Sequence, residues 1–136
     1  MILIDKIVGS SSETLAAIVD VKPGMEFFDA SLDGIPSWIG IEYMAQSIAA
    51  YSGLKLHRSN QSIGLGMLIS CRRYSVKQPV FGRGSRLLVD VRELAGTETG
   101  MAAYKCSIRE QSAPDEMLAT GQLGVYLSDT KYLSDE

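Results

Sequence analysis

Two periodicities divide the chain. Leu15, Ala17, Val19 and Val21 alternate with Ala16, Ile18 and Asp20, so one face of this segment is apolar and the segment reads as a strand. Lys22-Pro23-Gly24 ends it, and residues 25–35 are irregular, with Asp29, Asp33 and Gly34 as turn residues. Before it, residues 2–8 are apolar apart from Asp5 and Lys6 and read as a strand or a short helical turn, closed by Ser10-Ser11-Ser12. The second half returns to a period of two. Four strands are predicted over residues 65–76, 85–94, 101–109 and 117–127, with Leu87, Val89 and Val91 on one face of theirs, Tyr104, Cys106 and Ile108 on one face of the next, and Leu123, Val125 and Leu127 on the last. Gly82/Gly84, Gly96/Gly100 and Pro114-Asp115 mark the turns between them. Residues 128–136 are polar and read as a frayed tail.

Between the two halves the pattern changes. From Ser37 to Leu54 nearly every residue is apolar or small, and Glu42 is the one acid among them. Pro36 precedes Ser37, which suits an N-cap, and the spacing predicts a helix from about Trp38 to about His57, closed by Arg58-Ser59-Asn60. Lys55, His57 and Arg58 suit the negative end of its dipole. A helix apolar all round belongs inside a protein, and a carboxylate inside it is costly unless paired or protonated. Glu42 is therefore the first candidate for chemistry.

Composition narrows the partners. The chain has 136 residues, 46% apolar and 21% charged, as expected of one globular domain over 1–136. A net charge of −3 gives no overall basic field for nucleic acid or an anionic membrane. No apolar run spans a bilayer without polar interruption, and the first five residues lack the order of a signal peptide, so a cytoplasmic protein is expected. Cys71 and Cys106 make no metal framework and have no neighbouring His; they read as two buried, reduced thiols, and neither a metal nor a cofactor is expected. Gly64-Leu65-Gly66 and Gly82-Arg83-Gly84 do not open a helix after a strand, so they are not phosphate loops.

The order is strand, long apolar helix, then four strands on short turns. Such turns imply an antiparallel sheet. A curved sheet wrapped around the helix covers most of it and a second copy of the protein covers the rest, an α+β arrangement known as the hotdog fold.

Pro36-Ser37-Trp38-Ile39-Gly40-Ile41-Glu42-Tyr43-Met44-Ala45-Gln46 resembles the helix start of the beta-hydroxyacyl-[acyl carrier protein] dehydratases, with Pro-Gly, an apolar stretch, an acid and Gln four residues on. Ile2-Leu3-Ile4-Asp5-Lys6 is similar to the family's Leu-Leu-Val-Asp-Arg opening. Arg73-Tyr74 and Pro79-Val80-Phe81-Gly82 are similar to its Arg-Phe and Pro-Val-Pro-Gly. The most similar branch is that of aryl polyene biosynthesis, whose helix reads Trp-Val-Gly-Ile-Glu-Tyr-Met-Ala-Gln. The resemblance covers most of the chain, and its helix motif is the specific part. There are two departures. The family pairs its acid with a His fourteen residues earlier; here that count reaches Phe28, and residues 25–35 contain no His. The family's Leu-Pro-His-Arg-x-Pro segment falls before Met1.

The resemblance implies dehydration of a 3-hydroxyacyl thioester borne on the phosphopantetheine of an acyl carrier protein, within fatty acid or aryl polyene biosynthesis. That chemistry removes a C2 proton, protonates the departing C3 hydroxyl and needs donors for an enolate-like oxygen. A helix N-terminus offers N–H groups and partial positive charge, and the resemblance places those near Ser37 and Trp38 against the thioester. Glu42, expected among Trp38, Ile39, Ile41 and Met44, would work as acid or base near neutral pH, with Gln46 at i+4 holding its carboxyl. Phe28, Phe27 and Trp38 are candidates for the acyl or aryl channel, or for core. Arg72, Arg73, Arg83 and Arg86 are candidates for the acidic carrier, or simply solvated charges. His57 lies about 22 Å along the helix from Glu42 and cannot serve the same site within one chain. The expected assembly is a homo-oligomer (dimer or dimer of dimers) or a pair with another hotdog protein. Two further readings share these residues: an acyl thioesterase using Glu42, and a subunit without activity that pairs with an active dehydratase.

Overall fold

The computed structural model describes residues 3–58, 65–96 and 101–129. Strands β1 (Lys6–Ser10) and β2 (Thr14–Asp20) come first, then a short β3 (Gly34–Pro36). A 3₁₀ turn (Ser37–Ile39) leads into α1 (Gly40–Arg58). Strands β4 (Leu65–Val76), β5 (Val80–Gly82), β6 (Arg86–Gly96), β7 (Met101–Glu110) and β8 (Ala113–Asp129) follow. Six strands form one antiparallel sheet in the order β1-β2-β6-β7-β8-β4, and β3 pairs with β5 apart from it.

Helix α1 packs against β2, β4, β6, β7 and β8. This is the hotdog architecture, and its core is where the alternation put it. Leu15, Ala17 and Val19, Leu87, Val89 and Val91, Tyr104, Cys106 and Ile108, and Leu123 and Val125 are all buried, meeting Ile39, Tyr43, Met44, Ile48 and Tyr51 of the helix. Gly121 keeps the two layers close, because a Cβ there would come within 2.9 Å of the Met44 sulfur.

Several expectations are corrected. The first strand begins at Lys6, residues 3–5 lie outside it, and all five of its residues are exposed. Pro114-Asp115 is not the last turn: the chain reverses at Gln111-Ser112, and Pro114 sits inside β8 near a register shift, where a missing N–H is tolerated. Ser128 and Asp129 are not frayed but pair with Gly66 and Leu65. The expected helix closure at Ser59-Asn60, the Gly100 turn and the tail beyond 129 lie outside the described residues.

Candidate active site

The site is built on the helix tip. Pro36 (φ −55°, ψ 131°) holds the cap position, and no side chain caps the turn, contrary to the expectation for Ser37. The reason is that Ser37 is buried and tied by its backbone. Its N–H donates to the Pro79 carbonyl at 2.9 Å. Its carbonyl accepts the Tyr74 hydroxyl at 2.5 Å and the Gly40 N–H. The Ser37 N–H is thus committed within the chain. The Trp38 N–H precedes the first bond of the 3₁₀ turn and has no carbonyl partner inside it, whereas the Ile39 N–H opens the turn by bonding the Pro36 cap.

The helix is not buried all round. Ile39, Tyr43, Met44, Ser47, Ile48, Tyr51 and Ser52 form its buried stripe, while Trp38, Glu42 and Ala49 are exposed along the other side with Ala45 half-buried between them. Glu42 is therefore not enclosed by its own chain. Ile39 and Met44, two of its four expected neighbours, point into the core instead. Alanine explains the misreading: it counts as apolar in a pattern but covers little area, so Ala45 and Ala49 do not demand a covering layer. What remains is an open strip with a 64%-exposed tryptophan at its head and a carboxylate one turn on.

Gln46 works elsewhere than expected. Its Oε1 accepts the Leu3 N–H at 2.6 Å and pins the N-terminal segment across the helix. Phe28 packs against the core, whereas Phe27 stands edge-on to Trp38, ring centroids 6.4 Å apart. Phe27 has φ +68°, uncommon for a bulky side chain. The aromatic partner of Trp38 is thus Phe27.

Of the four candidate arginines, two are spoken for. Arg83 holds Asp33 at 2.6 Å and Arg86 holds Asp20 through two bonds of 2.7 and 3.2 Å. Of the two thiols only Cys106 is buried, and burial pushes it up to about 12; Cys71, on edge strand β4, is exposed. Sequence reading missed the tyrosines around the tip. Tyr43 is fully buried, its hydroxyl has no partner among the described residues, and burial raises it to about 12. Tyr74 is raised by burial as well; its signal was present in Arg73-Tyr74, but nothing in the pattern said where the hydroxyl would land. An open hollow of about 200 Å³ lies between the ends of β4 and β8, lined by Ser75, Val76, Lys77, Met117, Leu118, Ala119 and Thr120. Among the described residues no three His, Cys, Asp or Glu side chains converge on a metal site, and no helix is long and apolar enough to cross a membrane.

The family model described as ApeP-like, ApeP dehydratase, matches residues 1–134. The chain belongs to this family. Among solved structures, the ApeP-like chain is similar to the dehydratase heterocomplex ApeI:P from Xenorhabdus doucetiae, at 22% identity and TM-score 0.83, covering 98% of this chain and 88% of that one. The thioesterase HI1161 from Haemophilus influenzae follows at 10% identity and TM-score 0.68, covering 90% and 77%. The smu.793 protein from Streptococcus mutans, bound to acetyl CoA, is similar at 13% identity and TM-score 0.62, covering 91% and 88%. These likenesses establish the hotdog fold of this ApeP-like chain. No curated protein sequence matches it significantly.

Proposed function

We propose that the chain is one subunit of a 3-hydroxyacyl-thioester dehydratase acting on chains borne by an acyl carrier protein, in aryl polyene or fatty acid biosynthesis. The observation that carries this reading is the position of Glu42, one turn past the helix tip on the open strip. The Trp38 N–H at the helix tip polarises the thioester oxygen. The Glu42 carboxylate takes the C2 proton; the electron pair forms the C2–C3 double bond as the C3 hydroxyl departs, and the carboxylic acid returns the proton to make water. One carboxyl can perform both transfers in sequence, which the missing His requires of this chain.

The open strip also asks for a cover. A second hotdog subunit laid over Trp38, Glu42 and Ala49 would exclude water and close the site. The similar solved structure ApeI:P is a dehydratase heterocomplex, and we propose that this chain too works paired with another subunit.

The test is turnover of a 3-hydroxyacyl carrier thioester by the chain alone and with a hotdog partner, products followed by mass. Loss of water, abolished by Glu42→Gln, supports the proposal. Release of free thiol makes the chain a thioesterase. A second reading is favoured by the committed Ser37 N–H and the loop without His: the chain stabilises a partner that does the chemistry. Water loss only with the partner, and unaltered by Glu42→Gln, would establish that reading.

A further inference from the structure

The sheet face turned away from α1 carries a row of cations that the fold leaves unpaired. Directly opposed residues across four strands are Arg92 on β6, Lys105 on β7, Gln122 on β8 and Arg73 on β4. They share the outer face, because their neighbours Val91, Cys106 and Leu123 are buried against the helix. A register shift between Cys71 and Arg73 inserts Arg72 into the same strand, and its Nε lies over the outer side of Gly124, 3.6 Å from where a Cβ would stand. All five side chains are exposed. The other arginines whose side chains are described are paired, Arg83 with Asp33, Arg86 with Asp20 and Arg109 with Asp90, and Lys6, Lys22 and Lys77, unpaired among the described residues, stand apart from the row. None of Arg72, Arg73, Arg92 and Lys105 has an ion pair or hydrogen bond among the described residues.

This arrangement costs the fold something. Arg92 and Lys105 stand directly opposite one another, and like charges so placed oppose pairing of their strands. A chain of net charge −3 has acids enough to neutralise the row, yet Asp90, on the same face two residues before Arg92, is paired with Arg109 instead. We infer that the row Arg92–Lys105–Gln122–Arg73, with Arg72 beside it, is the docking surface for an acidic helix of the carrier protein. Its reach from β6 to β4 is three strand spacings, about 14 Å. That matches about nine residues of a helix, so carboxylates roughly two to three turns apart on one helical face meet both ends of the row. Its β4 end adjoins Tyr74, whose hydroxyl holds the Ser37 carbonyl at the helix tip. A carrier seated on the row would thus deliver its thioester around the β4 edge towards Glu42. The choice of a carrier as partner rests on the dehydratase reading; the anionic character of the partner does not.

The experiment titrates the full chain, in whatever assembly it forms, with a purified apo acyl carrier protein, with anionic phosphatidylserine vesicles and with duplex DNA. The double variant Arg92→Glu/Lys105→Glu is compared with the native chain. The expected result is carrier binding that weakens about tenfold and loses most of its salt dependence in the variant, with vesicles and DNA unbound. With 3-hydroxyacyl thioesters, turnover of the carrier-borne form falls to a similar extent while that of the pantetheine-borne form is unchanged. A second variant, Lys105→Gln, is expected to raise the unfolding midpoint while weakening carrier binding, which a merely structural lysine would not do. Carrier binding indifferent to charge reversal, or binding of vesicles or DNA in place of the carrier, overturns the inference. If neither thioester is turned over, the dehydratase reading fails, and the apo-carrier titration still decides the docking surface.

Discussion

The Tyr74 hydroxyl donates to the Ser37 carbonyl across 37 residues of chain, and Gly40 makes room for it. A Cβ at Gly40 would collide with that hydroxyl and stand 3.0 Å from Ile108 Cδ1. This bond fixes where the helix tip lies relative to edge strand β4. Tyr74→Phe is expected to cost about 1 kcal/mol of stability, the net worth of a hydrogen bond whose acceptor keeps a second donor, the Gly40 N–H. Gly40→Ala is expected to cost more, although alanine is the better helix former by about 1 kcal/mol. The double variant should recover part of that loss, because the colliding oxygen is gone. Urea denaturation of the four proteins measures the coupling, and simple additivity would mean the two residues do not share the space.

Glu42 is exposed within its chain, so its replacement should leave the fold alone. Glu42→Gln is expected to shift stability by no more than about 0.5 kcal/mol while lowering dehydration at least about 100-fold, the scale of a lost general acid–base. Thermal unfolding and single-turnover kinetics on one preparation separate the two. A large loss of stability would place Glu42 in the architecture rather than in the chemistry.

The two thiols give an inexpensive check on the layers. Cys106, on β7 between β6 and β8, is buried, and that burial raises it to about 12, whereas Cys71 is exposed. A thiol reagent at neutral pH should label one cysteine per native chain and two after unfolding. Peptide mapping should find the native label on Cys71 alone.

Much of this molecule was legible in its sequence because its core is periodic. Alternation at Leu87, Val89 and Val91, or at Tyr104, Cys106 and Ile108, has one physical reading, and those residues are buried as it requires. The position of the long helix followed from its unbroken run of apolar and small residues. Strands β3 and β5 did not show, since three residues carry no period. The open strip of α1 did not show either, because Ala45 and Ala49 look apolar whether or not anything covers them. Contacts such as Tyr74 to Ser37 or Gln46 to Leu3 join distant segments, and local pattern holds no information on them. Glu42, Gln46, Ser37, Trp38 and Phe28 could be nominated from the motif, but which of them the chain itself engages needed coordinates.

Acid sensitivity should trace to Asp20. Its carboxyl lies below its ordinary value of 3.8 chiefly because the Arg86 guanidinium hydrogen-bonds it from the adjacent strand. The folded state therefore binds fewer protons here than the unfolded chain. The stabilisation is complete above 3.8 and is lost as pH falls through the lower, folded value. Arg86→Gln should be less stable than the native chain at neutral pH, by a small margin because the pair is solvated. That margin should close as pH drops below 3.8, and should shrink with added salt. Denaturation curves across the acid range would show the two proteins converging; a constant gap would mean Arg86 acts through packing.

Phe27 offers a separation of strain from contact. With φ at +68° it occupies the left-handed region, which costs a side chain about 1–2 kcal/mol. The residue is 41% exposed, so burial repays little of this, and its one aromatic contact among the described residues is with Trp38. Two substitutions distinguish the backbone from the ring. Phe27→Ala removes the ring and keeps the strain; Phe27→Gly removes both, at an entropic cost in the unfolded chain of about 0.5–1 kcal/mol. The glycine variant should therefore be the more stable of the two, by up to about 1 kcal/mol. Both should lose the same Trp38 contact, seen as an equal shift in tryptophan fluorescence. If Phe27 is held in this conformation to present its ring at the head of the open strip, both variants should also be equally impaired in thioester turnover. An alanine variant as active as the native chain would leave the strain without a functional purpose.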